Sequence, residues 1–168
     1  MRLPPEVLAA LVDGLMKSER NTVNVGGLSI EVTLEHDTDS TLKDSGDWYG
    51  ELVDVPGRPY NRGQRPDHFN GNAEVVHSDR WGRTWWQPPA DAIRGTEGFA
   101  KLREVIRGWY SDEWHYIGVV VAVSKLCPCC DQLQEVDKQS VWGIESTCGE
   151  YHIAEVVADL LAGIEADE

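Results

Sequence analysis

Three of the four cysteines fall in one tetrapeptide, Cys127-Pro128-Cys129-Cys130, and the fourth, Cys148, follows later in the chain. Four thiolates would satisfy a tetrahedral zinc ion, but C-x-C-C departs from the two-residue spacing of a zinc knuckle. The surrounding sequence imposes a further constraint. Strand-like runs at 117–126 and 139–145 read as antiparallel mates, which places the tetrapeptide at one end of the pair and Cys148 at the other, about 25 to 30 Å away. A four-cysteine site within one chain is thereby excluded. The remaining metal-binding set is Cys127, Cys129 and Cys130, completed by Asp131 or a loop histidine, with zinc as the implied ion. The simpler expectation is a turn carrying free thiols and no cofactor. Vicinal Cys129 and Cys130 make a poor disulfide, and Lys125 is the one nearby cation that would favour a thiolate.

A second group able to do chemistry is His36-Asp37-Thr38-Asp39, whose hard ligands could hold a metal ion for hydrolysis, with His68, His77 or His115 joining from elsewhere. The competing reading is a strand exit built from Asx turns. No Ser-His-Asp set, phosphate-binding loop or dinucleotide fingerprint supports catalysis, so binding is the expected mode of action and the hydrolase centred on His36, Asp37 and Asp39 is the alternative.

Charge narrows the partners. The 168 residues carry 29 acidic and 15 basic side chains, a net charge of -14. That balance argues against direct nucleic-acid binding, which relies on neutralising phosphates with Lys and Arg, and favours solubility or a partner with a basic surface. Carboxylates concentrate in Glu31–Asp54 and Asp131–Glu168, whereas Arg58, Arg62, Arg65, Arg80, Arg83, Arg94, Lys101, Arg103 and Arg107 fall between them, interleaved with Tyr60, Trp81, Trp85 and Trp86. Regularly spaced carboxylates can imitate nucleic-acid charge and occupy a basic groove. The residues expected to meet a partner are therefore Glu31, Glu35, Asp37, Asp39, Glu155 and Asp159, with Trp81, Trp85 and Trp86 as aromatic contacts.

The elements that must position these groups read as follows. Residues 4–18 predict a helix with prolines at its start and Val7, Leu8, Leu11 and Leu15 at helical spacing. Asn24–Gly27 breaks the pattern, and Leu28, Ile30, Val32 and Leu34 then alternate with polar residues in a half-buried strand whose glutamates face water. A polar loop over His36–Gly46 leads to a strand at Trp48–Val55, read as its antiparallel mate. Short strands follow at Ala73–His77 and Arg83–Gln87 within an irregular region rich in Pro, Gly and Trp, residues 56–95. Thr96 caps a helix bearing Phe99, Leu102, Ile106 and Trp109. Tyr116–Val123 is the strongest strand, with a central, doubly covered position, and pairs with Ser140–Glu145. Thr147-Cys148-Gly149-Glu150 has the spacing of a capping box ahead of a last helix with Ile153, Val156, Val157, Leu160, Leu161 and Ile164. The expected fold is α+β, an antiparallel sheet with about three helices packed on it, as a single domain over residues 1–168.

No apolar run is long enough to span a bilayer and Met1-Arg2-Leu3-Pro4-Pro5 opens no signal peptide, so no membrane association and a cytoplasmic location are expected. Nothing in the sequence sets the oligomeric state.

Trp114-His115-Tyr116-Ile117-Gly118-Val119-Val120-Val121, followed by Ser140-Val141-Trp142-Gly143-Ile144-Glu145-Ser146, resembles a C-terminal pattern of a family of uncharacterised phage proteins. The stretches Glu35–Asp39, Trp48–Gly50, Asn70–Ala73 and Trp85–Pro89 are similar to the upstream part of such proteins from actinobacterial phages. The resemblance implies no catalytic residues. CPCCDQLQEVDK stands where the relatives have a short hairpin, so any role of the cysteines is local to this chain. By class analogy the resemblance implies an accessory protein, acting in the host cytoplasm, that inhibits or sequesters a host protein in host takeover or anti-defence, with a virion module as a further alternative.

Overall fold

The computed structural model describes residues 1–43, 48–57 and 64–164. In chain order the elements are α1 (Pro5–Ser18), β1 (Arg20–Val25), β2 (Leu28–His36), β3 (Glu51–Pro56), β4 (Glu74–Ser78), β5 (Gly82–Gln87), α2 (Glu97–Tyr110), β6 (Tyr116–Leu126), β7 (Leu133–Glu145) and α3 (Glu150–Gly163). The class is α+β, as expected, with the strands divided between two antiparallel sheets of order β1-β2-β6-β7 and β3-β5-β4. They belong to two compact units: Met1–Asp39 with His115–Glu168, and Ser40–Trp114. No described helix is long and apolar enough to cross a membrane.

In the first unit a strand period of two meets a helical period of 3.6. Ile30 and Val32 of β2 and Val119, Val121 and Val123 of β6 point to one face, where Leu11, Val12 and Leu15 of α1 and Ile153, Val157 and Leu161 of α3 close over them. Each fully buried aliphatic side chain here contributes about 1.5–3 kcal/mol relative to exposure. β6 lies between β2 and β7, and its first six residues are buried on both faces of the pleat, as its β-branched run predicts.

Sequence reasoning missed β1. Its residues, RNTVNV, line an exposed edge and so lack a strong apolar alternation. The missed signal was Gly26-Gly27, with φ of 58° and 81°, which joins Val25 to Leu28 as a two-residue hairpin rather than ending the strand pattern. β1 and β6 occupy both edges of β2, so the expected pairing of β2 with the strand at 48–55 does not form. That strand, β3, pairs with β5 instead.

β7 is also longer than expected. Leu133–Lys138, read as part of an insertion, continues the ladder against β6 as far as Leu126, leaving Cys127–Gln132 as the connecting loop. At the other end the ladder skips from Ile117↔Ile144 to Val119↔Val141, so that Trp142 and Gly143 together face Gly118. This bulge lays the Trp142 indole over Gly118, where a Cβ would collide with the ring. The capping box ahead of α3 does not form. Gly149, at φ 82°, is the N-cap, and no side chain caps the helix.

In the second unit Leu52, Asp54, Glu74, His77, Thr84 and Trp86 share one face of the three-stranded sheet through the pairings Leu52↔Trp86↔Glu74 and Asp54↔Thr84↔His77. Phe99 packs on Trp86 with ring centroids 5.3 Å apart, while Arg103 and Arg107 lie 3.8 Å from the Glu74 carboxylate. Tyr110 stacks on His77 at 5.0 Å. Positions 99, 103, 107 and 110 form one helical stripe, apolar at its start and polar at its end. Thr96 caps α2 as expected, its hydroxyl accepting from the Phe99 N–H. Residues 44–47, Arg58, Tyr60 and Arg62, and Glu165, Asp167 and Glu168 of the expected acidic stretch, lie outside the described residues.

Gly118→Ala is expected to displace Trp142 and to cost about 1–3 kcal/mol. Chemical denaturation checks the stability, and a red shift of tryptophan emission in the folded variant checks the displacement.

Candidate functional site

The His36–Asp39 segment is a structural node. Asp37 is 5% exposed, and its carboxylate accepts from the Gly143 N–H at 3.0 Å and from the Asp39 N–H at 3.0 Å. Gly143 belongs to the β7 bulge, where the ladder to β6 is interrupted, and Asp37 supplies an acceptor for its N–H. Asp37 is therefore not a surface contact for a partner, since burial and these two hydrogen bonds commit its oxygens. His36 meets His115 with tilted rings, centroids 4.4 Å apart, and His77 belongs to the other unit. His36, Asp37 and Asp39 do not converge as metal ligands. Among the described residues one group does, Cys127, Cys129 and Cys130.

Of the remaining expected acidic contacts, Asp39 is exposed in the loop after β2, and the other four divide between two sides of the first unit. Glu31 and Glu35 alternate with the core-facing Ile30 and Val32, and so lie on the sheet face away from α1 and α3. Glu35 is exposed, whereas Glu31 is half-buried and holds Arg20 at 2.5 Å across the β1–β2 pair. Glu155 and Asp159 instead occupy the outward side of α3, opposite Ile153, Val157 and Leu161. They stand one helical turn apart, about 6 Å along the axis. Tyr151 shares that side at 78% exposure. Its hydrogen bond to Glu155, reinforced by that carboxylate's charge, holds the phenol above its ordinary pKa. His152 lies 3.9 Å from Glu155 and would pair with it only when protonated. Glu150 and Asp159 make no ion pair among the described residues.

This asymmetry extends to the whole first unit, whose sequence contains 17 of the 29 acidic residues and five of the 15 basic ones. The second unit has 12 and ten. Four of its cations pair within it: Lys43 with Asp54, Lys101 with Glu97, and Arg103 and Arg107 with Glu74.

The three tryptophans expected to meet a partner have separate environments. Trp86 is fully buried, and its Nε1–H donates to the Tyr49 carbonyl at 2.5 Å, which excludes it from a surface site. Trp85 is half-buried on the opposite face of β5. Trp81 is 69% exposed in the β4–β5 turn, where Asp79 accepts from its N–H and Arg80 lies over its ring at 4.6 Å. Beside Trp81 a cavity of about 430 Å³ is lined by Asp54, His77, Asp79, Thr84 and Tyr110. Sequence spacing did not reveal it, because cross-strand register and the end of α2 assemble it from four separate segments.

Within the cavity, burial works to raise the Asp54 pKa, but hydrogen bonds from Lys43 and Thr84 outweigh it and hold the carboxyl below its ordinary value. Burial raises the Tyr110 phenol, with the Asp54 charge assisting and Thr84 opposing. The cavity thus sets a carboxylate beside a phenol that stays protonated.

At the hairpin tip Cys127 is buried and Cys129 and Cys130 are exposed. The Sγ atoms of Cys127 and Cys129 are 2.8 Å apart. Hydrogen bonds from Cys129, and then from Cys130, bring the Cys127 thiol down to about 7 and leave Cys129 raised. Neighbouring thiols thus provide the stabilisation that the scarcity of nearby cations had argued against. Cys148 stands beyond the far end of the β6–β7 ladder, outside this group.

Asp37→Asn, which replaces one acceptor oxygen with a donor, is expected to cost about 1–3 kcal/mol in chemical denaturation, as a structural role requires. For Asp54, a folded pKa below the unfolded value means stability that is present above the unfolded pKa and lost as pH falls through the folded one. The denaturation midpoint of Asp54→Asn should accordingly fall less than that of the wild type between about pH 5 and pH 2. Comparison with known proteins assigns no family: no family model, curated protein or solved structure matches the chain.

Proposed function

We propose that the protein is an acidic binding protein, of the phage accessory kind its sequence pattern resembles, that occupies a basic surface of a host protein through the outward side of α3. One observation carries this reading. An exposed Tyr151 shares the outward side of α3 with Glu155, one turn away, and Asp159, one turn further on, in a unit with a large excess of carboxylates. An accessible aromatic ring offers contact area at low entropic cost and a π-face for Arg or Lys, while the carboxylates steer and orient a cationic partner. A groove that binds nucleic acid has this complementary chemistry, and its occupation would block or sequester the host protein.

The assay is retention of proteins from an actinobacterial lysate on the immobilised full-length chain at about 50 mM and about 500 mM salt, read by mass spectrometry. The expected result is a basic nucleic-acid-binding protein released by salt. Glu155→Gln with Asp159→Asn, or Tyr151→Ala, should lower its affinity on the order of tenfold, whereas Glu35→Gln on the other side should not. Retention insensitive to salt and to the α3 variants would reject the reading.

A further inference from the structure

The Cys127–Gln132 loop plays no part in the α3 surface, yet its backbone is closely specified. The Cys127 N–H donates to the Gln132 carbonyl at 2.8 Å, and the Asp131 N–H donates to the Cys127 carbonyl at 3.0 Å. Asp131 takes the left-handed conformation, φ 55°, and the ladder below the loop pairs Leu126 with Leu133. Pro128 restricts one further φ. A short loop tied at both ends in this way limits the conformational entropy left to lose when a ligand binds.

On this loop the Sγ atoms of Cys127, Cys129 and Cys130 all lie within 4.8 Å of one another. Sulfurs bound to zinc at about 2.3 Å in a tetrahedron sit roughly 3.8 Å apart, so the loop needs only small shifts to close around an ion. Three sulfur donors select a soft cation over magnesium or calcium, which require oxygen ligands. The exposure of Cys129 and Cys130 leaves an approach from solvent. Cys148, at the opposite end of the ladder, cannot complete the set from the same chain.

We propose that Cys127, Cys129 and Cys130 bind one zinc(II) ion per chain. The three thiols lose their protons to solvent on binding, the three thiolates ligate the ion, and the fourth position is taken by water or by a donor from outside the loop. No oxidation or reduction occurs. Bound zinc fixes the hairpin tip and withdraws three clustered thiols from disulfide formation. This site stands independently of the proposed α3 surface.

The test uses the full-length chain, purified under reductant from zinc-supplemented culture, with metal measured by plasma mass spectrometry and thiols counted. About one zinc per chain is expected, and cobalt(II) exchange should produce sulfur-to-metal charge-transfer absorption. Competition between added zinc(II) and a chromophoric chelator covers the case of loss during purification, and sub-micromolar affinity is expected. Cys129→Ser and Cys130→Ser, at exposed positions, should keep the wild-type circular dichroism and weaken zinc binding at least about tenfold, while Cys148→Ser should leave it unchanged. The site is overturned if the reduced protein cannot compete with the chelator, if the cobalt form lacks thiolate bands, or if Cys148→Ser lowers affinity as much as Cys129→Ser.

Discussion

The architecture of the first unit depends on an acceptor placed against an interrupted ladder. Between Ile117 and Val119 the β6–β7 pairing admits two residues opposite one, and the Gly143 N–H turns to the buried carboxylate of Asp37. The same Asp37 donates its own N–H to Tyr116, so the exit of β2, the start of β6 and the bulge of β7 are joined at one point. The bulge also turns Trp142 onto Gly118, a position open only because glycine has no Cβ. A charged group this well buried has to be satisfied by hydrogen bonds, and its removal would leave backbone donors without a partner in low dielectric. Within the HDTD segment, Asp37 is thereby committed to holding these strands together.

With the sheet so held, α1 and α3 cover one face and leave their outer sides to solvent. Placement then gives the acidic residues different roles. Glu31 is tied to Arg20, Asp37 to the backbone, and Glu155 and Asp159 stand exposed on the side of α3 that carries Tyr151. Net charge alone is equally compatible with solubility and with recognition. An aromatic ring on the same helix side as the carboxylates adds the local contact that solubility does not require. The second unit sets Arg103 and Arg107 against Glu74 and assembles a polar cavity where the apolar stripe of α2 ends.

The hairpin tip shows how register decides the meaning of a cysteine cluster. Because β7 pairs with β6 as far as Leu133, the tetrapeptide sits in a short closed loop rather than a long insertion, and its sulfurs converge.

The sequence by itself determined the elements whose periodicity is strong. The helices at 5–18, 97–110 and 150–163, the alternation from Leu28 to Leu34 and the β-branched run of β6 were all legible, because their apolar spacing is a local property of the chain. The separation of Cys148 from the other cysteines was legible for the same reason, since it needs only an antiparallel hairpin and a rise per residue. Tertiary structure alone decided which edges of β2 were occupied, that Asp37 and Trp86 lie inside, that Glu31 and Glu35 face away from Glu155 and Asp159, and that Asp54, His77, Thr84 and Tyr110 share a cavity. Each of these depends on pairing between segments distant in sequence. A shift of register by one residue would turn every side chain of a strand to its other face, and composition and local spacing do not specify that choice.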